Sequence, residues 1–198
     1  MEKKRSSLFT LYGVCLLLII PMQFVAPLFW QDGEQGLIGG TLAVLMQVLW
    51  IPVFMGLFDL VREKMPHYAA WGFLVASYAN VGGAIFGFRD IYSATFNISQ
   101  AAELQAFVAH SLVYNLTLFW PGYMFPLSLL VIGIMLIRCK SVPWWIGLLI
   151  CLGAVAFPVG RISRLPLVAL AVNLLLLVPM LYLAWTFLAS QSMRIRIR

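Results

Sequence analysis

Charge is what this sequence has least of. Only 10% of its 198 residues are Asp, Glu, Lys or Arg, against about 25% in an ordinary soluble domain. Polar stretches are equally scarce. The longest weakly hydrophobic one, 89–103, has 15 residues, too few for a second domain. Histidine occurs twice and cysteine three times. Cys15 and Cys151 lie inside apolar runs and Cys139 in a short basic loop, with no CxxC pair and no metal-ligand spacing. That pattern indicates neither a disulfide framework nor a zinc site. The chain has no Walker loop, no GxSxG, no HExxH, no paired intramembrane aspartates and no haem-ligand histidine pair. The chemistries that those patterns serve are not indicated, and no cofactor is expected.

What the chain does have is hydrocarbon. It is 63% hydrophobic, with a mean hydropathy of +0.96. A domain of this size cannot hide so much apolar surface, so lipid must solvate most of it. A span of about 30 Å of hydrocarbon needs about 20 helical residues. The pattern predicts an all-α fold, a single transmembrane domain over 1–198. Its six spans lie at about 8–29, 37–60, 68–88, 113–137, 142–160 and 165–189, with an outer extension at 98–112. The basic start followed by an apolar run resembles a signal peptide. The run continues to Phe29 without a small-residue cleavage site, so a retained first helix is expected.

Orientation follows from Lys and Arg. With the N-terminus inside, ten basic residues fall on inner segments: Lys3, Lys4, Arg5, Arg62, Lys64, Arg138, Lys140, Arg194, Arg196 and Arg198. Three, Arg89, Arg161 and Arg164, fall on outer ones. This asymmetry predicts both termini in the cytoplasm. The net charge of +6 therefore addresses anionic headgroups, not nucleic acid.

The stretch 104–137 is 34 residues long, about 51 Å as straight helix. That is too long for one simple crossing and too short for two. It is read as one crossing ending at Arg138 plus the outer extension, with Asn97 and Gln100 as a capping box. Pro21, Pro27, Pro52, Pro121, Pro126, Pro158 and Pro179 fall within the spans and predict Pro-kinked helices, which membranes tolerate. A three-plus-three inverted repeat has only thin support, in the similar spacing of Gln47 to Pro52 and Asn173 to Pro179.

Polar side chains within spans must be paired or wet. Gln23, Gln47, Asn80, Asn115 and Asn173 are the amides there, each at the bilayer centre or on its outer side. A cavity opening outward explains that asymmetry; interhelical hydrogen bonding explains it equally. On the fourth element Glu103, Phe107, His110 and Tyr114 recur at helical spacing. They form either an acid–base face, with His110, Tyr114 and Glu103 as weak catalytic candidates, or an interfacial anchor. Arg161 and Arg164 break the charge rule in a tight outer turn. They either pair with outer carboxylates such as Asp32, Glu34, Asp90 and Glu103 or receive an anion or headgroup. Ala76, Asn80, Gly83 and Gly87 share a face and predict a close helix contact. Candidate ligand-binding residues are therefore Gln47, Asn80, His110, Asn115, Arg161, Arg164 and Asn173. One isolated His makes no metal site.

Glu103-Leu104-Gln105-Ala106, His110, Phe119-Trp120, Phe125-Pro126-Leu127, the basic turn before Pro143 and Trp145-Ile146-Gly147-Leu148-Leu149 resemble an uncharacterised bacterial family of six-helix membrane proteins, a domain of unknown function. Its members run from LQAL through a His to FWG, LFPLG and LGVLL. The first half matches more loosely, around Met46-Gln47-Val48-Leu49. Where the family has Gly after the Trp, this chain has Pro121-Gly122. The resemblance implies six helices and a bacterial inner membrane. It implies no activity and transfers no catalytic residue.

The leading expectation is a multi-pass protein that binds or passes a small or lipid-like ligand through a pocket in the outer half. The alternatives are a membrane-embedded enzyme, or a subunit docking on a membrane-protein partner through the third span's small residues. The topology has a direct measurement. A reporter active only in the cytoplasm is expected to work when fused after Arg138 and to fail when fused after Asn97.

Overall fold

In hydrocarbon every backbone N–H and C=O must find its partner within the chain, which leaves helices or a closed barrel. The computed structural model, which describes residues 2–30, 34–163 and 165–195, is all-α. Its elements are α1 (Glu2–Val25) with a 3-10 turn (Ala26–Phe29), α2 (Gly36–Asp59), α3 (Pro66–Phe96), α4 (Gln100–Ala109), α5 (Ser111–Tyr114), a π-turn (Asn115–Phe119), α6 (Trp120–Arg138), α7 (Trp144–Ile162) and α8 (Pro166–Ile195). Among the described residues six helices are long and apolar enough to cross a membrane, with Ser111–Arg138 as the fourth.

Short loops force neighbouring crossings to run antiparallel. The principal contacts follow chain order, α1 on α2, α2 on α3, α3 on α6, α6 on α7, α7 on α8, and α8 closes back on α1. The result is a ring. One face carries the start of α1, the end of α8 and the loops 60–65 and 139–143; we call it the terminal face. The other, with residues 30, 34–35, 97–110, 163 and 165, is the distal face.

Aromatic rings fill the axis of this ring. Trp50 and Phe54 of α2 meet Phe125 of α6 edge-on, at 5.4 and 5.8 Å between centroids. Phe125 meets Phe157 of α7 at 5.1 Å. Tyr12 of α1 and Phe187 of α8, both with no exposed surface, meet at 5.6 Å. Such pairs contribute about 0.5–1.5 kcal/mol each beyond the area they bury. Side chains such as Leu45, Trp71, Leu127, Leu148 and Leu181 point outward and stay exposed, as lipid contact requires.

The structure departs from the spans drawn on hydropathy in three places. First, α3 continues to Phe96, eight residues beyond the expected end. Pro66 opens it, needing no N–H in the first turn, and Asn97 closes it in the left-handed region at φ 52°. Its 31 residues reach about 46 Å, so the last turns stand clear of the hydrocarbon. Arg89 and Asp90 thus lie inside a helix, with Arg89 Nε donating to Asp90 Oδ1 at 3.0 Å.

Second, the expected capping box fails. Asn97 is spent on ending α3, and Ser99 caps α4 instead, its Oγ accepting the Ala102 N–H at 3.3 Å. Third, the extension and the fourth crossing are not one helix. His110, at φ −123° and ψ 39°, separates α4 from α5. A π-turn then precedes Trp120-Pro121. The wider turn accommodates a residue that has no N–H and would crowd the carbonyl four residues back. The Tyr78 hydroxyl donates to Leu116 O within that turn.

The terminal half also holds more polarity than hydropathy suggested. The buried Tyr12 hydroxyl donates to Asp59 Oδ2 at 3.0 Å, and Asp59 pairs with Arg62 at 3.0 Å. Ser141 Oγ donates to Leu60 O at 2.8 Å and Lys64 Nζ donates to Cys139 O, tying the two loops together.

Pro121 sits directly over Gly82, where any Cβ would overlap its ring, whereas a Cβ on Gly122 would meet nothing within 4 Å. Gly82→Ala is expected to destabilise the bundle by about 1–3 kcal/mol, read as a lower melting temperature in detergent. Gly122→Ala is expected to be neutral or slightly stabilising. Equal effects of the two would contradict this packing.

Candidate functional site

The expected site residues fall into three separate places. On the distal face, Arg161 occupies the last turn of α7. Its guanidinium lies 5.2 Å from the Phe157 ring centroid and 5.6 Å from that of Trp30. Cation–π contact of this kind stabilises the charge by about 0.5–2 kcal/mol without neutralising it. Among the described residues no carboxylate comes within ion-pairing distance of Arg161; Asp90 acts on it only from further away. The Trp30 indole N–H, beside it, is buried without an acceptor. A crevice between α7 and α8, lined by Phe157, Gly160, Arg161, Val172 and Asn173, is too tight here to hold a water. Arg164 and Asp32, also expected here, lie outside the described residues.

Asn173 is committed elsewhere. It accepts from Gln23 Nε2 at 2.8 Å and donates to Gln23 O at 2.6 Å. Both side chains are buried, and the pair joins α1 to α8 where the ring closes. Only Gln23 Oε1 is left over. Asn173 is therefore a structural clasp beneath Arg161.

The second place is the distal end of α3. Asp90 is 2% exposed. It accepts from both Arg89 Nε and Nη2, and from the Gln35 N–H at 3.3 Å. Ser93 Oγ donates to Glu103 Oε1, and Glu103 Oε2 lies 3.9 Å from Arg89 Nε. This network pins α4 to α3. It disperses the expected acid–base face. Glu103 turns to α3, Tyr114 packs its ring on Phe107 at 4.5 Å, and His110 is exposed at the break. No hydrogen bond joins the His110 side chain to a titratable group among the described residues. Asn115 begins the π-turn, partly buried, away from both other places. No group of three or more His, Cys, Asp or Glu that could hold a metal occurs among the described residues.

The third place is a groove of about 340 Å³ between α2 and α3, lined by Val44, Gln47, Val48, Asn80, Val81 and Phe88 among others. It opens sideways toward lipid, since Val48, Val81 and Phe88 are more than half exposed. Asn80 is 1% exposed; its Nδ2 donates to Ala76 O at 2.6 Å. Its Oδ1, like Gln47 Oε1, has no partner. Of the candidate ligand-binding amides, Gln47 and Asn80 thus share a groove, while Asn115 and Asn173 lie elsewhere. The small residues of α3 face inward: Ala76 is fully buried, and Gly83 and Gly87 pack on Gln47 and Gly40. That seam is already occupied and is not free for a partner.

Sequence reasoning did not find the Trp30 contact or the Ser93–Glu103 bond. Ser93 lay in a segment read as loop, and Trp30 carried no spacing signal. If Glu103 and Ser93 hold α4, Glu103→Ala should free it. Amide hydrogen exchange over residues 100–109 is expected to rise about tenfold, the loss of one charge-assisted bond, with little change in melting temperature. Unchanged exchange there would remove this anchor.

No family model matches the chain, and neither curated proteins nor solved structures give a match.

Proposed function

We propose that the chain is a multi-pass protein of a bacterial cytoplasmic membrane. Both termini are cytoplasmic and the distal face is outside. It binds an anionic, lipid-like ligand at that face, with Arg161 as the ligand's counter-ion. The orientation rests on the ten-to-three division of Lys and Arg.

The observation that carries the site is the unpaired Arg161 beside the unpartnered Trp30 N–H. A guanidinium held at a membrane interface has strong affinity for phosphate or carboxylate oxygens, which it meets with two parallel donors. Trp30 and Phe157 fix its plane, so little side-chain entropy remains to be lost on binding. The anion meets Arg161 at the mouth of the α7–α8 crevice. Its apolar tail lies along the lipid-facing side chains Ile162 and Val159, 74% and 59% exposed.

Binding to the purified protein, followed by native mass spectrometry with phosphatidylglycerol and with phosphatidylcholine, tests this. Preference for the anionic lipid is expected, falling roughly 10–100-fold in Arg161→Gln, the worth of a hydrogen bond to a charged group. Arg161→Lys should retain part of it. Competition by inorganic phosphate separates a headgroup from a free anion. Equal binding of both lipids, or an unaltered preference in Arg161→Gln, overturns the proposal.

A further inference from the structure

The segment that joins α3 to the fourth crossing carries an apolar face that the rest of the described chain leaves uncovered. On α4 and α5, Leu104, Val108 and Leu112 recur every four residues and are exposed, Val108 by 80% and Leu112 by 68%. The other side of α4 is occupied. Glu103 accepts from Ser93 of α3. The Phe107 ring meets that of Tyr114 at 4.5 Å and that of Phe119 at 5.6 Å. Those contacts hold α4 against α3 and the fourth crossing and leave the Leu104–Val108 side turned outward.

Depth shows what lies there. The start of α3, next to Lys64, marks the terminal edge of the hydrocarbon. Gly82 is 16 residues beyond Pro66, about 24 Å up at 1.5 Å per residue. Thr117 O is 3.3 Å from where a Cβ on Gly82 would stand, so the π-turn lies at that level. Ser111, six residues before Thr117, is then at most about 9 Å higher, at about 33 Å. The far end of α4 is tied to Ser93, 27 residues beyond Pro66 and about 40 Å up. The hydrocarbon ends at about 30 Å, and the headgroup layer extends about 5–7 Å beyond it. α4 therefore rises through the distal headgroup layer.

Continuity gives the same occupant. Leu116, Trp120 and Tyr123 of the fourth crossing also face outward, and with Leu112 they follow the spacing of one helical face. Trp and Tyr are the residues that favour a bilayer interface. Leu104 and Val108 prolong this lipid-facing stripe onto α4. The one charged side chain of α4, Glu103, is turned to α3. An uncharged apolar face of this kind enters the boundary between headgroups and acyl chains by burial alone. We propose that α4 is an interfacial helix whose Leu104–Val108–Leu112 side is immersed in the distal leaflet, with the lipid surface as its partner. The contact is independent of Arg161 and needs no anionic lipid.

Fluorescence of the full chain in phosphatidylcholine nanodiscs, where both faces are open to solvent, tests this. An environment-sensitive dye is placed on Val108→Cys or on Ala102→Cys, with the wild-type chain as the labelling control. Both positions are exposed, so neither change touches the core, but Ala102 lies on the side of α4 turned away from the stripe. At Val108 a blue-shifted emission is expected, quenched by phosphatidylcholine that carries a nitroxide near the top of its acyl chain. Quenching by iodide should be lost there and retained at Ala102. Iodide quenching as strong at Val108 as at Ala102 places α4 in water and overturns the proposal. A disulfide-linked dimer of unlabelled Val108→Cys in native membranes overturns it too, since a second copy then covers this face.

Discussion

How closely α3 approaches its two neighbours governs the rest of the molecule. Between helices in lipid there is no hydrophobic drive, because acyl chains solvate Leu as well as Leu does; packing and hydrogen bonds must hold them. Close packing needs small residues, and α3 has them on two sides. A Cβ on Gly40 would lie 2.7 Å from Gly87 O, and one on Gly87 would lie 2.8 Å from Gly40 O. Gly83 lies under Gln47, where a Cβ would come within 2.5 Å of Cδ. Gly82, one residue away and so turned to the other side, accepts the ring of Pro121. Three consecutive requirements, on α2, on Gln47 and on the fourth crossing, thus meet within six residues of one helix.

Function-related geometry follows from that clamp. The α2–α3 contact places Gln47 beside Asn80 at mid-membrane and the Gln35 N–H over Asp90. The α3–α6 contact fixes where the π-turn lies, hence where α5 leaves the bundle. Because α3 outruns the hydrocarbon, Ser93 stands high enough to reach Glu103 and to hold α4 across the distal face. Asp90, fixed by Arg89 and Gln35, stays near Arg161 without pairing to it.

The all-α architecture and the six spans were legible because hydropathy over 20 residues is a strong, additive signal. The Ala76, Asn80, Gly83, Gly87 face was legible as a packing seam, since small residues at helical spacing have few other uses. Its partner was not, because any helix could have filled it. The end of α3 was misplaced because Arg89 and Asp90 look like a boundary, yet a charge pair neutralises itself and lets the helix continue. Helical spacing from Glu103 to Tyr114 assumed an unbroken helix, and the break at His110 depends on backbone angles that residue identity does not dictate. Tyr12–Asp59 and Gln23–Asn173, 47 and 150 residues apart, are invisible to any local pattern. Position in the ring, not sequence spacing, brings such pairs together.

Depth distinguishes the two kinds of unsatisfied group in this protein. Gln23, Trp30 and Gln35, with buried polar atoms lacking partners, cluster toward the distal end with Arg161. Headgroups and water lie close to that end, but these atoms are buried, and each costs about 1–3 kcal/mol while it stays unpaired. Gln47, Ser77 and Asn80 sit where neither is present, and the cost of each unsatisfied group is of order kcal/mol. The distal set lies within reach of partners from outside the bundle. The mid-membrane set has no such supply, and its groups are satisfied within the protein or remain a standing cost. The same chemical fact, an amide without a hydrogen bond, thus carries a different cost at each level of this bundle.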